Sequence, residues 1–207
     1  MTSESKKNTL ENILLAAQHE FAVAGFDGAR IDRIAREASV TKQLIYHYFQ
    51  TKDQLYKMTL ESMAGGMELP LDVEIYRQLN ASDAMALVIR RITEEYVKHS
   101  SYATLTLDQS LHHAAHITER SRFIPNMRYI NSEIVKPILE RGVQTGEFSP
   151  DLDTRFTFSL IFQIAAGCFL NSSVMSQTVD VDFDSEAGIE AWRIAAIDFV
   201  LHALRNN

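Results

Sequence analysis

The sequence predicts an all-α protein made of two helical parts. Apolar residues recur every three or four positions along most of the chain, as in amphipathic helices, and no segment of useful length alternates with the two-residue period of a strand. Gly65 and Gly66 interrupt the helical pattern and mark the end of the N-terminal part. With 207 residues, 46% of them hydrophobic, the chain can bury a core and is too apolar for a disordered protein.

Charge is distributed unevenly between these parts. The net charge of −7 by itself argues against a protein that binds nucleic acid. Residues 1–60 carry eight basic and seven acidic side chains, or +1, and the remainder carries twelve and twenty, or −8. The near-neutral N-terminal part is therefore the end of the chain that is compatible with DNA as a partner.

Cysteine content and hydropathy predict a soluble, cytoplasmic protein. Cys168 is the only cysteine, so neither an intramolecular disulfide nor a cysteine-based zinc site can form. The N-terminus is polar and lacks the apolar segment of a signal peptide. The longest apolar run, 156–170, is interrupted by polar residues, and we expect it to be too short for a membrane span.

The first predicted helix runs from Thr9, a candidate cap, to Ala24. Gly25 should end it, because glycine readily adopts the left-handed conformation common at helix C-termini. After a short linking turn, Arg30 opens the second helix. The apolar stripe of the first helix consists of Leu10, Ile13, Leu14, Ala17, Phe21 and Ala22.

Two short helices with a tight turn between them are predicted next. Ile31, Ile34 and Ala35 give the first of them a buried side, and the pair Ser39–Val40 breaks it. Thr41 can cap the following helix by accepting a backbone N–H with its hydroxyl, and Thr51 can cap the one after that. This is the pattern of a helix-turn-helix, in which the start of the second helix meets base edges in the major groove.

Polar side chains project from the second helix of this motif. Lys42 can donate to guanine, and Gln43 can pair with adenine. Tyr46, His47 and Lys52 follow, and their donor groups are common partners of phosphate. By periodicity alone, a helical hairpin with solvated polar residues explains these features equally well.

Residues 34–56, IAREASVTKQLIYHYFQTKDQLY, resemble the DNA-binding signature of TetR-family transcriptional regulators. Two residues depart from the family pattern. Tyr48 occupies a place often held by histidine, and Ser39 stands where the family usually has glycine, so a left-handed serine would cost about 1 kcal/mol. The matching positions, without a gap, are Ile34, Ala35, Ala38, Val40, Thr41, Ile45, Tyr46, Tyr48, Phe49, Lys52 and Leu55.

The resemblance implies a ligand-responsive repressor that binds a palindromic operator as a homodimer and is released by a small-molecule effector. Residues 1–55 would form a three-helix DNA-binding domain, and residues 56–207 a helical domain for effector binding and dimerisation. No catalytic activity, cofactor or metal is expected. The candidate DNA-binding residues are Arg30, Thr41, Lys42, Gln43, Tyr46, His47 and Lys52.

Capping and breaking residues divide the C-terminal part into further helices. Ser82 is a candidate cap for a helix to about His99, and another helix is predicted over 102–115. A long helix to Thr145 follows Pro125, and Pro137 should kink or divide it.

Two helices, 154–174 and 185–205, close the chain. Asp153 should cap the first of them, which is apolar nearly all round and must therefore be buried on every side. In so small a domain this favours burial against a second subunit, although a monomeric helical core is the alternative. The resemblance likewise implies a homodimer through these two helices.

Aromatic and histidine side chains of the C-terminal part could line an effector cavity, although plain core packing explains them as well. His112 and His116 lie four residues apart, a spacing that can bind a metal, so a helical metal-binding enzyme is a weak alternative. A regulator without a small-molecule effector is another. The candidate ligand-binding residues are Tyr96, His99, Tyr102, Gln109, His112, Phe123, Tyr129 and Phe162.

Overall fold

The computed structural model describes residues 3–66, 73–99, 101–117 and 122–205, and within these ranges it confirms the all-α prediction. Where the described chain is regular, it is helical and contains no strand. The elements are α1 (Ser3–Gly28), α2 (Ile31–Glu37), α3 (Lys42–Phe49), α4 (Lys52–Gly66), α5 (Val73–Gln78), α6 (Ala81–Lys98), α7 (Ser101–Leu111), α8 (Phe123–Tyr129), a π-helix (Ile130–Val135), α9 (Lys136–Thr145), α10 (Thr154–Val179) and α11 (Glu186–Leu204).

The chain forms two compact units that are not separated by a single cut. Unit 1 contains Met1–Met67 and Ser101–Ile124, and unit 2 contains Glu68–Ser100 and Pro125–Asn207. Helix α7, which follows the first helices of unit 2 in sequence, therefore belongs to the N-terminal unit. A functional division at residues 55 and 56 remains a prediction.

Unit 1 is built around α1, which packs against α2, α4 and α7. Its core joins the helix-turn-helix to the rest of the unit, because each of the first four helices contributes buried side chains to one cluster. These include Ile13, Ala17 and Phe21 from α1, Ile31 and Ile34 from α2, Ile45 and Phe49 from α3, and Leu55 and Tyr56 from α4.

Unit 2 is built around α6, whose buried face packs against α9, α10 and α11. The predicted cap of α6 is wrong by two residues. Asn80 caps this helix by accepting the Asp83 N–H at 2.7 Å. The hydroxyl of Ser82 instead donates to Glu147 at 2.8 Å, and the same carboxylate accepts the N–H groups of Ala81 and Ser82.

The expected division of the helix at Pro137 is confirmed. Pro137 lies in the first turn of α9, directly after the π-helix Ile130–Val135. Proline cannot donate to the carbonyl four residues earlier, and its ring crowds that group. The wider π-helical turn before it accommodates the proline within a nearly continuous rod.

The two terminal helices leave an apolar stripe uncovered. On α10, Phe156 and Leu160 are 67% and 61% exposed, and on α11, Ile194 and Phe199 are 51% and 65% exposed. Helix α10 reaches Val179 and is long and apolar enough to cross a membrane by length and composition alone, so the expectation that it is too short is wrong. Only 22% of the most apolar 18-residue stretch of α10 is buried within the chain, so the surface of this helix is available to a partner.

Candidate nucleic-acid interface

The structure confirms two short helices joined by a tight turn. Helix α2 buries Ile31, Ile34 and Ala35, and α3 buries Ile45 and Phe49, so both helices are fixed on the core of unit 1 by one side. Their other sides are left to solvent. This arrangement presents the polar residues of α3 on a rigid support, as a reading element requires.

The turn between α2 and α3 contains a serine in the left-handed conformation. Ser39 has φ of +55°, in the left-handed region that glycine adopts without cost. Thr41 caps α3, and its hydroxyl accepts the Leu44 N–H at 3.2 Å. Thr51 accepts the Gln54 N–H at 3.0 Å and caps α4 in the same way.

Ser39→Gly should stabilise the protein by about 0.5–1 kcal/mol, because it removes the steric cost of a left-handed side chain. Chemical denaturation of the purified protein measures the change. The matched reverse substitution is Gly146→Ala, since Gly146 has φ of +77° and a Cβ there would meet nothing within 4 Å. It should destabilise the protein by a similar amount, and equal stability of Ser39→Gly and wild type would contradict the backbone argument.

Four of the candidate residues form one exposed face of α3. Lys42, Gln43, Tyr46 and His47 all face solvent, and Tyr46 is 41% exposed. Their spacing of one and four residues places them side by side over the first turns of the helix. The structure therefore brings these donors together at solvent-exposed positions of α3.

Lys42 is held by a carboxylate of α2. Its Nζ lies 2.9 Å from Oδ1 of Asp32, and both groups are exposed. The hydrogen bond and the charge of Asp32 raise the pKa of Lys42, and the same contact lowers the pKa of Asp32. The pair is therefore fully ionised at neutral pH, and Asp32 neutralises one cation of the exposed face.

The remaining candidates surround this face. Lys52 uses one donor on the carbonyl oxygen of Asp27 at 3.1 Å and lies 5.1 Å from the centre of the Phe26 ring. An ammonium group has three donors, so Lys52 can still contact a phosphate. Thr41 and Arg30 are exposed at the N-caps of α3 and α2, where backbone N–H groups also favour anions.

Glu20 supports the start of α2 and was missed by sequence reasoning. Its carboxylate is buried on α1, accepts the Arg30 N–H at 2.9 Å and lies 3.7 Å from the Arg33 guanidinium. It thereby satisfies the backbone N–H of the N-cap residue itself, while the Arg30 side chain makes no capping hydrogen bond to α2. The available signal was an acid three residues after Ala17 and next to Phe21 on the apolar stripe.

A buried polar cluster lies beneath the turn between α1 and α2. Asp108 of α7 accepts the Phe26 N–H through Oδ1 at 2.9 Å and the Tyr56 hydroxyl through Oδ2. Burial, reinforced by the hydrogen bond to Asp108, raises the pKa of Tyr56, so its hydroxyl stays protonated as a donor. Gln109 also donates to the Tyr56 oxygen at 3.1 Å.

The two candidate metal-binding histidines belong to this cluster. His116 is buried against the rings of Phe26 and Tyr56, with centroid distances of 4.4 and 4.8 Å. Burial lowers its pKa and keeps the imidazole neutral. Nε2 of His112 lies 3.7 Å from Asp108, and within the described residues no group of three or more His, Cys, Asp or Glu is arranged to hold a metal ion.

The candidate ligand-binding residues are divided between the two units. Gln109 and His112 pack within unit 1, where the Tyr102 hydroxyl also donates to the Met63 carbonyl at 3.2 Å, and Phe123 belongs to the same unit. In unit 2, Tyr96 is buried and stacks on Phe169 at 5.2 Å, Tyr129 is 40% exposed, and His99 and Phe162 are half-buried. Their role as an effector site remains a prediction.

Comparison with known families places both parts of the chain. Residues 13–58 match the family described as bacterial regulatory proteins, tetR family. Residues 82–200 match the family described as tetracyclin repressor-like, C-terminal domain. The two matches together cover most of the chain, and the second alone covers more than half of it.

Individual relatives span nearly the whole chain. The HTH-type transcriptional repressor NicS of Pseudomonas putida is 26% identical over 209 residues, which cover 98% of this chain and 95% of NicS. The fatty acid metabolism regulator protein of Bacillus subtilis is 26% identical over 165 residues, covering 77% of this chain and 80% of that protein. The crystal structure of FadR from Bacillus subtilis in complex with stearoyl-CoA has the same fold, with a TM-score of 0.63 and 20% identity, covering 94% of this chain and 99% of FadR.

Proposed function

Because the chain belongs to the TetR family of bacterial transcriptional regulators, we propose that it represses its target genes as a homodimer on a palindromic operator and that a small-molecule effector releases it. Family membership confirms the resemblance noted in the sequence and makes the protein a DNA-binding transcriptional regulator rather than an enzyme. Such regulators act on DNA in the cytoplasm, and we assign this protein to the same compartment.

The exposed face of α3 carries the proposal for DNA recognition. Lys42 and Gln43 lie at the start of the helix, where side chains of a helix-turn-helix reach base edges, and we assign base reading to them. Tyr46 and His47 lie one turn further on and are assigned to phosphates. Arg30, Thr41 and Lys52 would contact the DNA phosphates beside this face, since each lies at the N-terminal boundary of a helix.

The uncovered stripe of α10 and α11 supports the homodimer. Large apolar side chains are exposed on both helices, namely Phe156 and Leu160 on α10 and Ile194 and Phe199 on α11. A second copy of the chain, related by a two-fold axis, would cover them with the same stripe of its own surface. A dimer of this kind would offer two α3 helices to successive major grooves, about 34–36 Å apart. The operator should therefore contain two inverted half-sites.

The small-molecule effector is assigned by analogy of fold. FadR from Bacillus subtilis, whose fold this chain shares, has been crystallised with stearoyl-CoA. We place the effector site of this protein in the helical C-terminal domain, with Tyr96, His99 and Phe162 among its candidate residues. A panel of metabolites should contain a compound that raises the melting temperature and lowers operator affinity together.

The spacing of the two half-sites provides a test of the proposal that a homodimer binds the operator. Once an operator has been selected, inserting five base pairs between its half-sites rotates one of them by about half a turn, and inserting ten restores the rotation. A dimer with fixed heads should lose most of its affinity in the first case and recover part of it in the second. Equal affinity for all three DNA molecules would show that each subunit binds alone.

A further inference from the structure

Helix α7 supplies a buried carboxylate to the DNA-reading part of the protein. Asp108 is 6% exposed and uses both of its oxygens. One accepts the Phe26 N–H in the linking turn, by which we mean residues 26–30 between the break in α1 and the start of α2, and the other accepts the Tyr56 hydroxyl of α4. A buried carboxylate is costly unless donors satisfy it. The contact is therefore specific: α7 can dock with Asp108 inside only when the turn and α4 present these two donors.

The turn needs this acceptor because α1 is interrupted at Gly25. Gly25 has φ of +66° and ψ of 177°, which breaks the helical hydrogen-bond pattern just before Phe26. The Phe26 N–H therefore needs an acceptor from outside its helix, and Oδ1 of Asp108 provides one at 2.9 Å. The approach is close, since a Cβ on Gly25 would lie 3.1 Å from that same oxygen.

Two candidate phosphate-binding residues, Lys52 and Arg30, depend on the position of this turn. The carbonyl of Asp27 binds Nζ of Lys52, and the Phe26 ring lies beneath the same ammonium group. Arg30 follows at the end of the turn, and its N–H is held by Glu20. Displacing Phe26 would therefore remove one support of Lys52 and move the chain that leads into Arg30, whereas Lys42 and Gln43 on α3 would keep their own support from the core.

We propose that Asp108 is a positioning residue for DNA binding, which holds the turn between α1 and α2 against α4 and so places Lys52 and Arg30 for phosphate contact. This inference rests on the proposed function, because it assumes that these residues meet an operator.

Substitutions at position 108 separate this role from general stability. Asp108→Leu has a similar shape and no acceptor, and it should weaken operator binding by about tenfold or more. Asp108→Asn keeps an acceptor for the Phe26 N–H and can donate to the Tyr56 oxygen, so its affinity should stay within about threefold of wild type. If Asp108→Leu does not fold, Tyr56→Phe, which removes one of the two donors, replaces it with an expected loss of about threefold to tenfold.

The matched control is Glu61→Gln. Glu61 also ties α4 to the end of the 101–124 stretch, by accepting the Arg122 N–H at 3.1 Å, but the hydrogen bonds described for it are with Arg122 and not with the turn. Operator affinity should be unchanged in this variant.

The experiment measures the operator affinity of the active fraction of full-length protein over a range of salt concentrations. Loss of well-placed phosphate contacts should reduce the slope of log affinity against log salt by about one per contact in Asp108→Leu. A merely structural role would lower the active fraction and leave both the affinity and the slope of the active molecules unchanged, and that result would overturn the inference. If wild-type protein binds no DNA fragment specifically, the proposed function itself fails.

Discussion

Phe199→Glu is expected to convert the proposed dimer into a monomer and to weaken operator binding by about 100-fold or more. Phe199 is 65% exposed on α11 in the single chain, so the substitution costs nothing in the folded subunit, whereas in the dimer it would bury a charge in an apolar contact. Two linked reading heads gain affinity from their connection, and separating them forfeits a factor of about 10² to 10⁴.

Light scattering gives the mass of the variant, and circular dichroism shows whether its helices persist. The control is Val97→Glu, which introduces the same charge on an exposed apolar residue of α6, outside the terminal helices. Val97→Glu should remain dimeric and bind the operator normally. A dimeric Phe199→Glu protein would place the subunit interface elsewhere.

The double substitution Lys42→Ala/Gln43→Ala should abolish sequence-specific binding while leaving weak binding to any DNA. Each side chain is assigned a base contact, and each such contact contributes about 1–3 kcal/mol of discrimination, so together they should cost about 100-fold in operator affinity. The phosphate contacts are retained, so the residual binding should remain strongly salt-dependent. Competition between the operator and random DNA measures the lost preference.

Asp32→Asn is the matched change of opposite sign on the same surface. Asp32 lies 2.9 Å from Nζ of Lys42, and its lowered pKa keeps it negative at neutral pH, where it also repels phosphate. Removing this charge should tighten DNA binding by about threefold to tenfold at low salt and by less at high salt. Weaker binding by Asp32→Asn would mean that Asp32 orients Lys42 for its base contact.

Local signals in the sequence predicted the reading element well. The caps at Thr41 and Thr51 depend on neighbours within three or four residues, and the structure confirms both. The cap at Asp153 is likewise confirmed, because it accepts the Arg155 N–H two residues later. The structural role of a side chain can be predicted from the local sequence when its partner lies a few residues away.

Contacts between residues far apart in the chain could not be predicted from the sequence. Asp108 meets Phe26 across 82 positions, and nothing in the surroundings of either residue predicts that α7 packs against α1 rather than within the C-terminal unit. Glu20 and Arg30 are only ten positions apart, yet the break at Gly25 lies between them and turns the chain back. For the same reason, residues that were proposed together as one ligand-binding site lie in two different units of the structure.

Selection of bound fragments from the host's own genomic DNA, at a stated salt concentration near physiological, tests the central claim most directly. Wild-type protein and the Lys42→Ala/Gln43→Ala variant are compared side by side. We predict that wild type recovers fragments sharing an inverted repeat with half-site centres about one helical turn apart, and that the variant loses this enrichment. Recovery of the same fragments by both proteins would contradict the assignment of α3 as the reading helix.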